Sequence, residues 1–193
     1  MSELRIYAAT HPAQVLDIVT EHAAIAQRLA AIDVRFERWQ ASRPLAADAG
    51  QEDVLAAYAD DVVRLNAEYG FKSVDVVSLR ADHPQKAAMR AKFLSEHTHD
   101  DFEVRFFVDG QGMFYLHVAG KVYAVLCTQG DLISVPSKVT HWFDMGENPS
   151  FKCIRFFTVP EGWVGHFTGS EVDKMIPSLD ELASLGVKNQ QVH

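Results

Sequence analysis

Short apolar runs separated by glycine-bearing turns characterise the second half of the chain. The runs are rich in Val, Phe, Ile and Tyr and occupy residues 102–108, 113–118, 121–127, 131–135 and 151–159. Turns with glycine are expected at residues 109–112, 119–120 and 129–130. Closely spaced strands with such turns are typical of an antiparallel sandwich or barrel. We therefore predict that β structure dominates from residue 71 to residue 159.

The first half of the chain shows a helical period instead. Between residues 52 and 69, apolar side chains recur at three- and four-residue steps, which predicts an amphipathic helix that ends at Gly70. An alanine-rich segment predicts a helix from a cap at Thr20 to about Ile32. A third helix is expected at residues 85–93, strands at residues 4–7, 15–19, 34–39 and 71–79, and a short helical pattern with a polar tail at residues 178–193. The pattern indicates an α+β protein whose helices gather in the N-terminal half.

Composition and charge narrow the class of protein. A length of 193 residues fits one domain, and a net charge of −8 with scattered basic residues argues against a nucleic-acid partner. No apolar run approaches the ~20 residues of a membrane helix, and residues 1–12 lack the apolar core of a signal peptide. Cys127 and Cys153 lie in strand-like runs and are expected to be buried free thiols, which suit a reducing compartment. We expect a cytoplasmic, single-domain protein with no membrane partner.

Three histidines and one glutamate form the clearest chemical pattern in the chain. His97 and His99 are two residues apart, so both project to the same side of a strand. Glu103 has the same parity and joins them if the strand stays regular or bends modestly at residues 100–101. His141 follows a strand and a proline turn, so it can approach from a neighbouring strand.

These four side chains suit one divalent transition metal. Neutral imidazoles and a carboxylate are ligands for Fe, Ni, Mn, Co or Zn, and four of them on an octahedral ion leave two positions open. A chelating substrate, or a substrate together with oxygen, needs such positions. A structural zinc would instead close a tetrahedron, commonly with cysteine, and neither cysteine has ligand spacing to these histidines. Among the other six histidines, we interpret four as surface or core residues: His11, His22, His83 and His193.

The spacing around the four residues is more specific than an isolated H-x-H pair, which occurs by chance at solvated hairpin ends. Six residues separate Glu103 from Gly110. Five residues separate Gly130 from Pro136, and four more lead to His141. The two stretches resemble the cupin motifs H-x-H-x3-E-x6-G and G-x5-P-x4-H.

Departures from the usual cupin motifs point to one branch of the superfamily. Ala91 and Lys138 stand where glycine is often found, and Met145 stands where asparagine often ends the second motif. The segments that resemble acireductone dioxygenases are residues 34–39, 96–106, 135–146 and 162–168. This resemblance extends from about residue 1 to residue 175.

The resemblance implies a fold. It is a mainly β cupin barrel (a double-stranded β-helix, jelly-roll-like) with helices from the N-terminal half packed outside. Within one cupin domain, an N-terminal elaboration spans about residues 1–93, the metal-binding barrel core about residues 94–160, and a C-terminal tail about residues 178–193.

The resemblance also implies a reaction in methionine salvage. Acireductone dioxygenases act with O2 on 1,2-dihydroxy-5-(methylthio)pent-1-en-3-one. The iron form yields formate and 4-methylthio-2-oxobutanoate, whereas the nickel form yields carbon monoxide, formate and 3-(methylthio)propanoate. One Fe2+ or Ni2+ per chain is implied, with ligands His97, His99, Glu103 and His141. The resemblance further suggests a monomer.

Three residues beside the ligands are candidate catalytic residues. Arg105 shares strand parity with Glu103, so its permanent charge can stabilise an enolate in the cavity. It can equally pair with Asp101 or Glu103, or point to solvent. By resemblance, Glu96 and Phe102 match family positions linked to metal incorporation and to relaying local conformational change. From the residues alone, they are more simply a solvated carboxylate and a core aromatic.

Two further pairs of residues have open interpretations. Asp100 and Asp101 can orient ligand imidazoles or simply form a charged hairpin end. Trp142 and Phe143 can form an apolar wall for a methylthio tail or pack in an ordinary core.

Two other functions compete with this dioxygenase activity. One is a different metal-dependent cupin enzyme, such as another dioxygenase or a sugar-phosphate isomerase. The other is a cupin that binds a small ligand without turnover. The complete ligand set argues against the second, since a binding module can lose ligands, and no basic helix-turn-helix segment accompanies it.

Overall fold

The structure, a computed structural model, describes residues 1–40, 44–46, 48–159 and 162–190, with side chains described as far as residue 184. The helices are α1 (His22–Ala30), α2 (Gln51–Ala57), α3 (Ala59–Tyr69), α4 (Lys86–Leu94) and α5 (Leu179–Gln190), with a 3₁₀ turn at Val172–Lys174. The strands are β1 (Glu3–Ala8), β2 (His11–Val19), β3 (Arg35–Arg38), β4 (Ser73–Leu79), β5 (His97–Thr98), β6 (Glu103–Val118), β7 (Lys121–Thr128), β8 (Asp131–Val135), β9 (Thr140–Asp144), β10 (Phe151–Phe157) and β11 (His166–Phe167).

Two antiparallel sheets share the long strand β6. The first sheet has the order β11-β5-β9-β6-β7-β1-β2, and the second has the order β3-β8-β6-β10-β4. Apolar side chains from both sheets meet in one core that includes Leu4, Phe107, Phe114 and Ile133. This arrangement confirms the prediction of closely spaced antiparallel strands in the second half of the chain.

The predicted turn at residues 109–112 is wrong, because β6 runs through it as one strand. Before Gly110, β6 pairs with β8 and β10, and after it β6 pairs with β7 and β9. Gly110 has a φ of +74°, and a Cβ there would lie 1.9 Å from the carbonyl oxygen of Ser150. Glycine is required because the strand bends sharply to pass from one sheet to the other.

Alternation along β6 gives the second sheet two different faces. Val104 and Phe106 pack with Tyr58 and Leu65 of the helical layer in one apolar cluster. The residues between them point to the interior, where Arg105 and its neighbours line a cavity. The helices α2 and α3 of the N-terminal half therefore cover the outside of this sheet, as predicted.

The helix boundaries differ from the predictions in two places. Glu21, not Thr20, caps α1, because its carboxylate accepts hydrogen bonds from the backbone N–H groups of Ala23 and Ala24. The predicted helix at residues 52–69 is divided at Tyr58, a fully buried residue with φ −110° and ψ 20°. Gly70 ends α3 in the left-handed conformation, as expected.

The two cysteines are free and completely buried, which confirms that prediction. Burial raises the pKa of the Cys153 thiol to about 12, so it is protonated at neutral pH. Among the helices that the structure describes, none combines the length and the hydropathy needed to cross a membrane.

Candidate metal centre

The four predicted ligand residues converge at one point inside the molecule. The strand pair β5–β9 places His97 directly opposite His141. Glu103 begins β6, and His99 follows β5. One ligand atom from each of these four side chains lies within 4.8 Å of the others, and all four residues are buried.

The four side chains converge because the strand that was expected to run from His97 through Glu103 is interrupted. They do not converge because they share one face of a regular strand. β5 ends at Thr98, and β6 starts only at Glu103. The intervening turn is stabilised by the buried Asp101, whose carboxylate accepts hydrogen bonds from the N–H groups of Phe102 (2.7 Å) and Thr158 (2.9 Å). This turn brings Glu103 back toward the histidines.

The ring orientations of the histidines fit a metal ion. Each Nδ1 lies beside a backbone carbonyl oxygen: 2.6 Å for His97, 2.9 Å for His99 and 2.8 Å for His141. A carbonyl only accepts, so each Nδ1 carries the hydrogen and donates it. Each Nε2 is then left with a lone pair, which is the atom that binds a metal in this tautomer.

Burial and neighbouring charges determine the protonation states of the site. Burial lowers the pKa of His97 to about 4, which keeps it neutral at neutral pH. Burial alone would raise the pKa of Glu103, but Arg105, His141 and His99 outweigh it and hold that pKa well below its usual range. For His99, burial is also outweighed, in this case by the Glu103 carboxylate, and its pKa is raised. The site therefore contains an ionised carboxylate among imidazoles.

One oxygen of Glu103 supports the assignment of a cation site. Its Oε2 lies 3.0 Å from Nε2 of His99 and 3.1 Å from Nε2 of His141. Its Oε1 is buried and lies 2.7 Å from Nη2 of Arg105. With the histidine hydrogens on Nδ1, Oε2 faces two imidazole lone pairs, and such a buried arrangement is costly unless a cation lies between them. The three imidazoles and this carboxylate fit a divalent transition metal.

Arg105 lies beside the four residues in an aromatic cage. Its Nη2 is 2.7 Å from Oε1 of Glu103 as an ion pair. Its guanidinium carbon is 4.5 Å from the ring centre of Phe143, 5.2 Å from that of Trp163 and 5.3 Å from that of Phe114. Its Nε is buried without a hydrogen bond in the described structure. The side chain is thus held rigidly and keeps a donor for a further acceptor.

A cavity of about 700 Å³ opens onto the site. Its floor is formed by His97, His99, Glu103 and Arg105. Apolar walls come from Phe93, Phe157, Trp163, Val164 and Phe167, and its outer part is lined by Ser73, Asp75, Lys92 and Arg155. The cavity can therefore take a small molecule with one polar and one apolar end.

Comparisons with known proteins decide which family this site belongs to. Residues 3–165 match the model of the ARD/ARD′ family. The chain belongs to that family. An acireductone dioxygenase of Hydrogenobaculum sp. is 56% identical over 185 residues, which cover 96% of this chain and 100% of the relative. One of Methylococcus capsulatus is 60% identical over 165 residues, which cover 86% of this chain and 89% of the relative.

A solved structure extends the similarity to three dimensions. The acireductone dioxygenase of Bacillus anthracis superposes with a TM-score of 0.77 at 28% identity, and the match covers 86% of this chain and 98% of that one. The Bacillus anthracis protein has a cadmium ion in its active centre. The predicted cupin fold is confirmed, and this ARD/ARD′ chain is a metal-dependent dioxygenase.

In this ARD/ARD′ chain, Glu96 and Phe102 have environments opposite to those expected from the residues alone. Glu96 is buried, and its carboxylate contacts Nδ1 of His117 at 2.7 Å and the hydroxyl of Thr168 at 2.7 Å. Phe102 is 37% exposed and lies against the ring of Tyr69. Both lie outside the cavity wall that the described residues form. Glu96, which directly precedes β5, instead connects His117 of β6 to Thr168 at the end of the segment that covers the site, residues 162–168.

The structure decides between the interpretations that the sequence left open for the two aspartates and the two aromatics. Asp100 is exposed and pairs with Lys138 and His166, so neither it nor Asp101 orients a ligand imidazole. Trp142 stacks on Tyr115 in a separate core. Phe143 lies under Arg105 rather than in the cavity wall.

Sequence reasoning missed the residues that close the cavity. Trp163 packs on Phe157 with ring centres 4.5 Å apart, and its Nε1 donates to the carbonyl oxygen of Phe102 at 2.9 Å. The backbone of Val164 holds His99, as described above. The similarity of residues 162–168 to the family was the available signal, but it did not indicate contact with the metal ligands.

Lys138 shows why glycine is common at its position in cupins. Its φ is +68°, in the left-handed region that side chains other than glycine rarely adopt. The backbone N–H of Lys138 donates to the carbonyl oxygen of His99 at 2.8 Å, and its side chain pairs with Asp100. These contacts tie the loop before His141 to the loop after His99.

Proposed function

We propose that this chain is an acireductone dioxygenase of methionine salvage, acting on 1,2-dihydroxy-5-(methylthio)pent-1-en-3-one and O2. His97, His99, Glu103 and His141 would bind one Fe2+ or Ni2+. The observation that supports the proposal most is the convergence of these four side chains beside a caged arginine, with His97, His99 and Glu103 at the floor of one cavity. With iron the products would be formate and 4-methylthio-2-oxobutanoate. With nickel they would be carbon monoxide, formate and 3-(methylthio)propanoate.

The charges of the site suit this substrate. The enediol is conjugated to a ketone, so it loses protons readily and becomes an electron-rich anion. A bound divalent ion supplies Lewis acidity and a template for chelation. The ionised Glu103 leaves the centre with a net positive charge, which attracts the anion.

Arg105 is the proposed catalytic residue. Its guanidinium is cationic, and its Nε, which has no hydrogen-bond partner in the described structure, can donate to an enolate oxygen. The aromatic cage holds that donor in place, so little reorganisation is needed when charge develops on the substrate. The ion pair with Glu103 also orients the carboxylate, and both roles that the sequence left open are compatible with this geometry.

The apolar walls would hold the methylthio end and exclude water. Phe93, Phe157 and Trp163 face the part of the cavity that lies beyond the ligands. Excluding water protects a reactive electron-rich anion from solvent protons. The family roles of Glu96 and Phe102 stay predictions; Glu96 would act as a positioning residue through the covering segment that it binds.

Metal reconstitution tests the proposal. Metal-free protein is loaded with iron or with nickel, and aerobic loss of the enediol absorbance is followed while products are identified by mass spectrometry. We expect turnover with both metals and different products for each, with metal-free protein as the control. No loss of enediol with either metal would reduce the assignment to another metal-dependent cupin.

The setting in which the enzyme works is part of the proposal. Cytoplasmic location, a single cupin domain and a monomeric state stay predictions. Light scattering on the purified protein measures the mass directly, and a value near 21.6 kDa is expected for the monomer.

A further inference from the structure

A row of charged side chains crosses the inner face of the second sheet from the cavity mouth to the metal centre. Arg155 on β10 is paired in register with Arg105 on β6, and Asp75 on β4 is paired with Arg155. All three residues line the same cavity. From the cavity mouth inward, the carboxylate of Asp75 comes first, the guanidinium of Arg155 second and the guanidinium of Arg105 third.

Two arginines directly opposite each other on neighbouring strands are unfavourable for folding. Like charges in that arrangement destabilise a sheet, since their Cβ atoms are only about 5 Å apart. The ring of Trp163 partly separates them, with its centre 5.2 Å from the Arg105 guanidinium and 5.8 Å from that of Arg155. The pairing of Arg155 with Arg105 therefore gives no reason of sheet stability for Arg155 to face the cavity.

Asp75 orients Arg155 without removing it from solvent. Its two carboxylate oxygens accept hydrogen bonds from Nε (2.8 Å) and Nη2 (2.6 Å) of Arg155. The two side chains remain 25% and 37% exposed, for Arg155 and Asp75 respectively. Exposed ion pairs contribute little to stability, so the guanidinium can exchange partners at small cost.

The charge of the whole protein opposes the binding of an anion. The net charge is −8, so the average field repels an enediolate. The cavity is lined by three cationic side chains (Lys92, Arg105 and Arg155) and two anionic ones (Asp75 and Glu103). Lys92 lies on the exposed end of α4 at the same mouth. The cavity therefore differs in sign from its surroundings.

We propose that Arg155, held by Asp75, is a second anion-binding residue that captures the enediolate at the cavity mouth before it reaches the metal centre. This inference rests on the proposed function, which supplies the anionic substrate. Asp75 moderates the capture because it neutralises Arg155 in the empty cavity. Removing the cation and removing its carboxylate partner should then have opposite effects on substrate affinity.

The test compares Arg155→Gln and Asp75→Asn in metal-loaded protein at several salt concentrations. For one surface charge near a binding site, we expect Arg155→Gln to raise KM about three- to tenfold at low salt, with kcat within about twofold of the parent. Asp75→Asn should lower KM by about twofold, and its KM should rise more steeply with salt. Arg155→Lys, which keeps the charge, should restore most of the affinity.

A remote ion pair provides matched controls. Arg28→Gln and Asp17→Asn change the net charge equally, and their exposed 3.1 Å pair lies on α1 and β2. Both control variants should leave KM at the parent value. If Arg155→Gln and Asp75→Asn shift KM in the same direction, or if neither differs from its control, the inference is wrong. If Arg155→Gln does not fold, the KM of Asp75→Asn alone tests the inference: a lower KM than that of the parent supports it, and an equal or higher KM contradicts it.

A second measurement separates this inference from the proposed function. Titrating the enediol onto nickel-loaded protein without oxygen measures Kd in the absence of turnover. The Kd values should increase in the order Asp75→Asn, parent, Arg155→Gln. If the protein binds the enediol in this order but never oxidises it, the proposed reaction fails and the role of Arg155 stands. Absence of any binding to the parent contradicts both.

Discussion

Two buried carboxylates in this protein have opposite surroundings. Asp131 is completely buried and accepts hydrogen bonds from three groups that always carry a hydrogen: the backbone N–H of Thr128 at 2.8 Å, Nε of Arg38 at 2.8 Å and the hydroxyl of Ser2, with Nε2 of His22 farther away at 3.4 Å. Glu103 is nearly as deeply buried, but its Oε2 faces two imidazole Nε2 atoms, and its Oε1 forms an ion pair with Arg105.

The difference separates a structural carboxylate from a metal-binding one. Asp131 has its acceptor positions filled by fixed donors, and it ties the N-terminus, β3 and the β7–β8 turn together. Glu103 shares its site with three side chains that can present lone pairs rather than hydrogens. Burial alone therefore does not identify a ligand; the kind of group around the carboxylate does.

The largest expected effect comes from changing the carboxylate of the metal centre. Glu103→Gln replaces the anionic ligand with a neutral amide, so metal content should fall and turnover should drop about a thousandfold or more, since a Lewis acid supplies several kcal/mol. Metal analysis and kcat measure the effect. A variant with parent-like metal content and kcat would contradict the assignment of Glu103 as a ligand.

Removing the cation beside Glu103 should leave the metal but weaken the chemistry. For Arg105→Met, we expect metal content near that of the parent and a fall in kcat of about a hundredfold, as for the loss of one oriented donor. Arg105→Lys keeps the charge without the fork of donors and should be intermediate. Parent-like turnover in Arg105→Met would show that this arginine has no role in catalysis.

Changing the structural carboxylate of Asp131 should lower the stability of the protein and leave its metal binding and turnover unchanged. Asp131→Asn leaves buried donors poorly matched, and we expect the free energy of unfolding to fall by about 2–3 kcal/mol, discounted for the exposure of Arg38. Metal content and kcat of the folded protein should stay at parent values. Denaturant titration measures the loss. A large fall in metal content would contradict the distinction between a structural Asp131 and a metal-binding Glu103.

The smallest effect concerns the stability of the metal-free protein in acid. The pKa of His97 is about 4 in the folded chain and about 6.5 when unfolded. Between these values the unfolded chain binds a proton that the folded chain does not, so stability falls as pH falls from 6.5 to 4. His97→Gln removes this contribution, and its melting temperature should fall less than that of the parent over this range, by several degrees. Equal slopes for parent and variant would contradict the neutral, buried state of His97.

The ligand set was predictable, although the geometric reason was not. The spacing of His97, His99, Glu103 and His141 matches a motif in which each residue type has a necessary role at the metal. Strand parity suggested a continuous strand, whereas β5 stops at Thr98 and a turn held by Asp101 returns the chain. Such a turn depends on Thr158, which is distant in sequence, so periodicity does not predict it.

Burial of single polar and aromatic residues was the least predictable feature. Glu96 was expected in solvent and Phe102 in the core, and the reverse is observed. The partners of Glu96 are His117 and Thr168, which come from a strand and a covering segment far along the chain. A local sequence window contains none of these contacts.

The sequence by itself determined the donor chemistry and the antiparallel class, because residue type and short-range period control these properties. Tertiary structure alone decided which nitrogen of each histidine faces the site, where β6 changes sheets at Gly110, and how Arg105, Trp163 and Arg155 share one cavity wall. These features arise from contacts between segments far apart in the chain, where backbone carbonyls, ring faces and charges meet only after the sheets have formed.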